Sequence, residues 1–180
     1  MGMLKNRLNI AADIYWRNNF DLIGAAYTIG GTRWGNVASM KSHGFELSVS
    51  TKNIQSKDFS WTTDFIFGST FNKVTELDTK RNMFNFLTGN GFARQGYPVR
   101  SLFSIPFTGL DDEGFPTFMV NGKQVTRRNY RDINFQQVDD LDFLKYEGSS
   151  EPTYNGSFGN IFTFKNFKLN VFITYSGGNK

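Results

Sequence analysis

The sequence predicts an all-β chain of antiparallel, up-and-down transmembrane β-barrel strands, about six of them, forming a partial barrel with long outer loops. Three observations carry that expectation. Apolar and polar residues alternate over long stretches, which is the period of a strand with two different faces. Aromatic residues make up 17% of the 180 residues, 20 of them Phe, yet charged residues reach only 20%. Short and long connections alternate along the chain, as they do in outer-membrane barrels. A soluble domain with a mean hydropathy of −0.40 would carry more charge; here Ser, Thr, Asn and Gly fill the shortfall, a composition suited to strands with lipid on one side and water on the other.

The first strand is expected over residues 4–17. Leu4, Asn6, Leu8, Ile10, Ala12, Ile14 and Trp16 share one parity, and Lys5, Arg7, Asn9, Ala11, Asp13, Tyr15 and Arg17 share the other. In the second strand, His43, Phe45, Leu47, Val49 and Thr51 oppose Ser42, Gly44, Glu46, Ser48 and Ser50. In the third, Phe59, Trp61, Thr63, Phe65, Phe67 and Phe71 alternate with Ser60, Thr62, Asp64, Gly68, Thr70 and Asn72. Residues 52–58 form the turn of this hairpin. A fourth strand is expected over 99–108, weakened by Pro106, which removes a ladder donor. A short strand follows at 115–120. The last hairpin places Tyr154, Phe158, Phe162 and Phe164 on one face, turns at Lys165-Asn166, and returns with Phe167, Leu169, Val171, Ile173 and Tyr175.

Residues 18–39, 73–95 and 121–151 read as three long loops. Such lengths are uncommon in compact soluble domains and expected on the outer side of a membrane barrel, with the short turns in the periplasm. The turn Leu110-Asp111-Asp112-Glu113-Gly114 is then expected in the periplasm as well. No helical period is visible.

Other features bound the function. Without Cys, disulfide frameworks and thiol chemistry are excluded. The net charge of +4 comes from scattered Lys and Arg, so nucleic acid is not an expected partner. No run approaches the roughly 18 apolar residues of a membrane helix. The first residues contain no signal-peptide core, and the last ones follow an outgoing strand, so the 180 residues are expected to be a piece of a longer exported protein. About six strands cannot close a barrel in lipid, because the open edges would leave unpaired backbone groups. Further strands, or several copies, are therefore expected. The competing class is a self-contained β-sheet protein, a soluble sandwich or surface adhesin. Aromatic residues grouped at expected strand ends favour the membrane, where amphipathic rings sit at headgroup level.

Several segments resemble the SusC/RagA family of TonB-linked outer-membrane proteins. Residues 13–23, from Asp13-Ile14-Tyr15-Trp16-Arg17 to Asp21-Leu22-Ile23, resemble its Y-x-R-x-x-x-D-L-I strand. Gly44-Phe45-Glu46-Leu47 is similar to its G-F/V-E-L strand, and Phe59-Ser60-Trp61-Thr62-Thr63 with Asn72-Lys73-Val74 to the next strand and its exit. Gly96-Tyr97-Pro98, Gly109-Leu110-Asp111 and Gly114-Phe115-Pro116 resemble its G-x-P and G-L/I-D-x-x-G-x-P pair. Tyr146-Glu147-Gly148, Pro152, Tyr154, Gly156, Phe158 and the strand ending Tyr175-Ser176-Gly177-Gly178 are similar to its penultimate region. The resemblance implies that residues 1–180 are a late part of a C-terminal receptor β-barrel domain, without its plug. It implies import of an oligosaccharide or peptide across the outer membrane, with TonB, a SusD-like lipoprotein and outer-membrane lipid as partners and no cofactor.

Candidate chemistry is sparse. Asp111, Asp112 and Glu113 lack the alternate ligand spacing of an EF-hand and read as a turn. Asp139, Asp140 and Asp142 are a loop cluster with some capacity for Ca²⁺. His43 is the single histidine and has no evident catalytic partner, so no enzyme, catalytic residue, cofactor site or metal site is expected. Gly30-Gly31 and Gly89-Asn90-Gly91 read as mobile loop positions. Arg127, Arg128 and Arg131 with Tyr130 form a basic-aromatic patch. Trp34, Phe84, Phe86 and Phe92 are loop aromatics that either stack on sugars or pack the loop. Substrate-binding residues are not assignable from the sequence.

Overall fold

The computed structural model describes residues 2–28, 31–78, 82–89, 92–134, 136 and 140–180, with backbone alone for 2, 25–28, 32 and 132. In chain order the strands are β1 (Gly2–Met3), β2 (Leu8–Thr28), β3 (Gly31–Gln55) and β4 (Phe59–Leu77), followed by helix α1 (Met83–Phe86). Then come β5 (Ser101–Ser104), β6 (Phe107–Leu110), β7 (Pro116–Val120), β8 (Lys123–Val125), β9 (Lys145–Ser149), β10 (Tyr154–Phe164) and β11 (Phe167–Gly177). One sheet has six strands in the order β1-β2-β3-β4-β10-β11, and two small sheets pair β5 with β9 and β6 with β7 and β8. The chain divides into two compact units. The first holds residues 1–17, 42–71 and 152–178, and the second holds 18–41, 72–151 and 179–180.

In the first unit the hairpin register is regular. Phe164 pairs with Phe167 and Tyr154 with Gly177, and on the other side of β10 Phe164 pairs with Phe59 and Tyr154 with Ser69. The Lys165 N–H donates to Asp58 O at 2.9 Å, so the two short turns lie side by side. Three glycines let rings cross neighbouring strands. A Cβ at Gly156 would stand 2.2 Å from Ile66 O and 2.4 Å from the Tyr175 hydroxyl, which itself donates to Ile66 O. Tyr15 likewise lies over Gly44, and its hydroxyl reaches Thr70 Oγ1 at 2.7 Å. Tyr154 lies over Gly177.

The expected last hairpin and the short strand near 115–120 are present. Other expectations need correction. Leu4, Lys5 and Asn6 are not in the first strand; all three take positive φ, 52°, 57° and 60°, in the turn between β1 and β2. The turn expected at 52–58 is shorter, because β3 runs on to Gln55. Residues 18–39 are not a loop. β2 continues to Thr28, and β3 begins at Gly31. β4 likewise runs on to Leu77, into the expected loop 73–95. These extensions lose the strict alternation that marks a membrane strand while keeping ladder hydrogen bonds.

The strand expected at 99–108 is divided at Ile105-Pro106. β5 pairs with β9, β6 pairs with β7, and neither joins the six-stranded sheet. Proline lacks the donor to continue a ladder, and the Pro106 carbonyl instead accepts from the Met119 N–H at 2.8 Å. Between Leu77 and Tyr154 no strand of the described residues joins the six-stranded sheet, although Gly96 and Tyr97 exchange backbone hydrogen bonds with Val74 of β4. The turn at Leu110–Gly114 is therefore part of the long excursion from β4 to β10, not of the short-turn set with which it was expected. The same excursion contains α1, too short to show a period. Asn82 caps it, accepting from the Asn85 N–H, while the Asn85 side chain accepts from the Asn82 N–H.

All the buried hydrophobic residues among those described belong to the second unit: Val37, Val74, Met83, Phe86, Phe103, Val125, Leu141 and Leu144. Met83, Phe86, Phe103, Leu141 and Leu144 form one cluster, with Phe86 and Tyr97 edge-on to Phe103 at 5.5 and 5.2 Å. The Arg94 guanidinium lies over Phe103 and pairs with Asp142.

Candidate functional site

The first unit is a single sheet layer whose two faces differ in chemistry. The apolar face carries Trp16 and Ile14 on β2, Phe45 and Leu47 on β3, Phe65 and Phe67 on β4, Phe158 on β10, and Leu169, Val171 and Ile173 on β11. Trp16 is 76% exposed and Phe167 78%, with Ile14, Phe158, Leu169, Val171 and Ile173 exposed as well. Phe45 and Phe67 touch across strands at 6.5 Å, and neither they nor Leu47 and Phe65 are buried. Water does not tolerate an apolar face of this extent on a stable monomer, whereas acyl chains do. A soluble sandwich would cover it with a second layer and a dry core, and this unit has no buried hydrophobic residue among those described.

Aromatic residues bound that face at both ends. One end carries Trp16, Phe71 stacked on His43 at 5.5 Å, Tyr154 and Tyr175. The other carries Phe59, Phe164 and Phe167, with Trp61 stacked on Phe162 at 5.7 Å. Tyr154 and Phe164 are the ends of one 11-residue strand. At about 3.4 Å per residue and a tilt of about 40°, their separation along the membrane normal is about 26 Å, close to the height of the apolar band of an outer-membrane barrel. From near the short-turn end to mid-strand the face is interrupted by a polar relay. Trp61 Nε1 and Thr63 Oγ1 donate to Asn160 Oδ1 at 2.9 and 2.7 Å, and Asn53 Nδ2 donates to Thr63 Oγ1 at 2.7 Å.

The opposite face is mainly polar: Asp13, Tyr15 and Arg17 on β2, Ser42, Glu46, Ser48 and Ser50 on β3, Thr62 and Asp64 on β4, Ser157 on β10, Asn170 and Thr174 on β11, with Ile66, Ile161 and Phe172 as its apolar members. This is the composition of a lumen wall.

The second unit holds the residues that sequence reasoning singled out. Asp111 Oδ1 accepts from the N–H groups of Glu113 and Phe115 at 3.0 and 2.8 Å, so the acidic cluster is turn chemistry. The basic patch meets that turn, with Glu113 paired to Arg128 at 3.1 Å and to Arg127 at 3.7 Å. Arg127 also lies 4.5 Å over the Phe115 ring, and Arg131 5.9 Å from that of Tyr130. These groups stand beside an apolar cleft of about 420 Å³ lined by Ile105, Phe115, Phe118 and Tyr130. A second, polar cleft of about 400 Å³ is lined by Asp21, Asn36, Ser39, Glu76, Asp78 and Gln95. Neither cleft was visible as a pattern in the sequence, since each joins segments that lie far apart along the chain.

Asp142 is bound to Arg94, and no metal-binding group of acidic or histidine side chains occurs among the described residues. Of the loop aromatics, Phe86 is buried and Phe92 half-buried against the core, whereas Trp34 and Phe84 are exposed. Gly31 opens β3, Gly89 follows α1, and Gly30, Asn90, Gly91 and Asp139 lie outside the described residues. The Glu147 carboxyl is held below the usual carboxylate range, first by the Ser104 hydroxyl at 2.6 Å and then by Lys145.

The sheet, its two faces and its paired aromatic girdles define a class: antiparallel, transmembrane β-barrel strands, here a partial barrel. Two TonB-dependent receptors of Formosa agariphila match it, 25% identical over 193 residues and 22% over 221, each covering 99% of this chain. The chain covers 19% and 21% of those receptors, so it spans about a fifth of the length of the curated relatives it matches. The TonB-dependent receptor SusC of Bacteroides thetaiotaomicron is 30% identical over 81 residues, 42% of this chain and 8% of SusC. No family model matches. Among solved structures, the RagAB peptide importer superposes with a TM-score of 0.74 at 23% identity, covering 99% of this chain and 20% of that one. The resemblance to SusC/RagA-type TonB-linked receptors, read first from short motifs, thus holds along nearly the whole chain in sequence and in fold. These relatives are receptors and importers by name, not enzymes.

Proposed function

We propose that these 180 residues are a wall segment of an outer-membrane, TonB-dependent nutrient importer, with a separate plug domain outside this segment. The observation that carries the reading is the first unit itself. It has an apolar face of membrane height between two aromatic girdles, a polar face behind it, and no hydrophobic core. The open edge of β11 supports the expectation of further strands, because an unpaired edge in lipid costs several kcal/mol per orphaned group. The cargo is an oligosaccharide or a peptide. The second unit, with its apolar and polar clefts, is the part of this segment with surfaces for cargo or for a SusD-like lipoprotein. The self-contained adhesin reading is not favoured, since nothing covers the exposed apolar face.

The test is uptake by cells carrying the full-length protein. Labelled oligosaccharide and peptide pools are expected to enter with TonB present and to stay outside in a tonB deletion. Equal accumulation with and without TonB, or recovery of the protein in the soluble fraction, would reject the reading.

A further inference from the structure

The charges of the first unit are unevenly placed. Of its seven cations, six (Lys5, Arg7, Lys52, Lys57, Lys165 and Lys168) lie at the short-turn end, and Arg17 lies at the other. Of its four anions, only Asp58 is at that end; Asp13, Glu46 and Asp64 lie along the polar face. The register places the six together. The Lys52 N–H donates to Arg7 O, Lys168 pairs with Thr163, and the Lys165 N–H donates to Asp58 O. All six are exposed, and none makes an ion pair among the described residues.

Three of them, Lys5, Lys57 and Lys165, sit in turns rather than on the polar face. The Lys165 ammonium lies 5.5 Å from the Phe164 ring, whose side chain belongs to the apolar face. This cation therefore leans to the lipid side, at the edge of the aromatic girdle.

We propose that the short-turn end binds the headgroup of an anionic phospholipid in the leaflet facing the turns. Lys5, Lys57 and Lys165, one on each of three successive short turns, meet the phosphates of the lipids along this edge. The apolar face supplies the acyl contact and the girdle sets the depth, so the turn cations stand at phosphate level. The inference rests on the membrane reading above and specifies the lipid.

The test uses the full-length protein reconstituted in vesicles and nanodiscs of phosphatidylcholine with or without phosphatidylglycerol, with retained lipids counted by native mass spectrometry. The wild type is expected to retain phosphatidylglycerol preferentially. Each of Lys5→Gln, Lys57→Gln and Lys165→Gln should lower that preference by about fivefold at low salt, the effect of one cation at a charged membrane surface. Equal retention of the two lipids, or a preference untouched by the triple Lys→Gln variant, overturns the proposal. So does a triple variant that loses only an acidic protein partner. Protein that enters phosphatidylcholine vesicles but shows no headgroup preference defeats this proposal alone; protein that enters no vesicle defeats the membrane reading beneath it.

Discussion

Gly156 shows how much of this sheet depends on the absence of a single carbon. With Ile66 O at 2.2 Å and the Tyr175 hydroxyl at 2.4 Å from where a Cβ would stand, Gly156→Ala must push β10 away from β4 or expel the ring. A loss of about 1–3 kcal/mol is expected, the usual effect of overpacking, read as a lower urea midpoint of the full-length protein in detergent. Conservative replacement of Gly89, which has no atom near its Cβ position, should leave that midpoint unchanged. Glu147 offers a second residue-scale test. Its carboxyl is depressed chiefly by the Ser104 hydroxyl, so it stabilises the fold above the ordinary carboxylate range and loses that contribution as pH falls through its own, lower pKa. Ser104→Ala should move the titration up towards the usual value of about 4.3. A carbonyl chemical-shift titration of the labelled protein checks it, and an unmoved midpoint would contradict the assignment.

At the scale of elements, the long strands and the excursion obey different rules. β10 and β11 keep the alternation that lipid on one side and water on the other demands, and their bounds were legible from it. β2, β3 and β4 were legible only where that alternation held. Their extensions read as loops because one-sided burial no longer dictates the pattern. In the excursion, order comes from contacts between distant residues: Phe103 packs on Phe86 from α1 and on Tyr97, and Leu141 and Leu144 close the cluster. Phe103→Ala should cost about 3–5 kcal/mol locally. Hydrogen exchange should quicken in β5 and β9 while β10 and β11 stay protected. Equal loss of protection in both would mean that the excursion and the sheet unfold as one.

For the whole molecule the two faces make the sharpest prediction. Val171 and Asn170 are adjacent on β11, near its middle, but belong to opposite faces. Val171→Arg should cost about 2–4 kcal/mol in a bilayer, as expected for a cation on the lipid side at mid-depth. Asn170→Arg should change stability by no more than about 0.5 kcal/mol. The folded fraction in liposomes across a urea series gives both values. Similar costs at the two positions would remove the distinction on which the barrel-wall reading stands.

The short motifs of 13–23, 44–47 and 59–63, and the alternation around them, were enough to name the class and the kind of relative, because a membrane face imposes its pattern residue by residue. The turn at Asp111 was legible for the same local reason. Only the tertiary structure decided that residues 99–108 are two short strands in separate sheets, that Glu113 meets Arg127 and Arg128, that Phe86 packs while Phe84 does not, and that six cations gather at one end. Each of these depends on which segments meet after folding, and long-range pairing leaves no periodic trace in the chain.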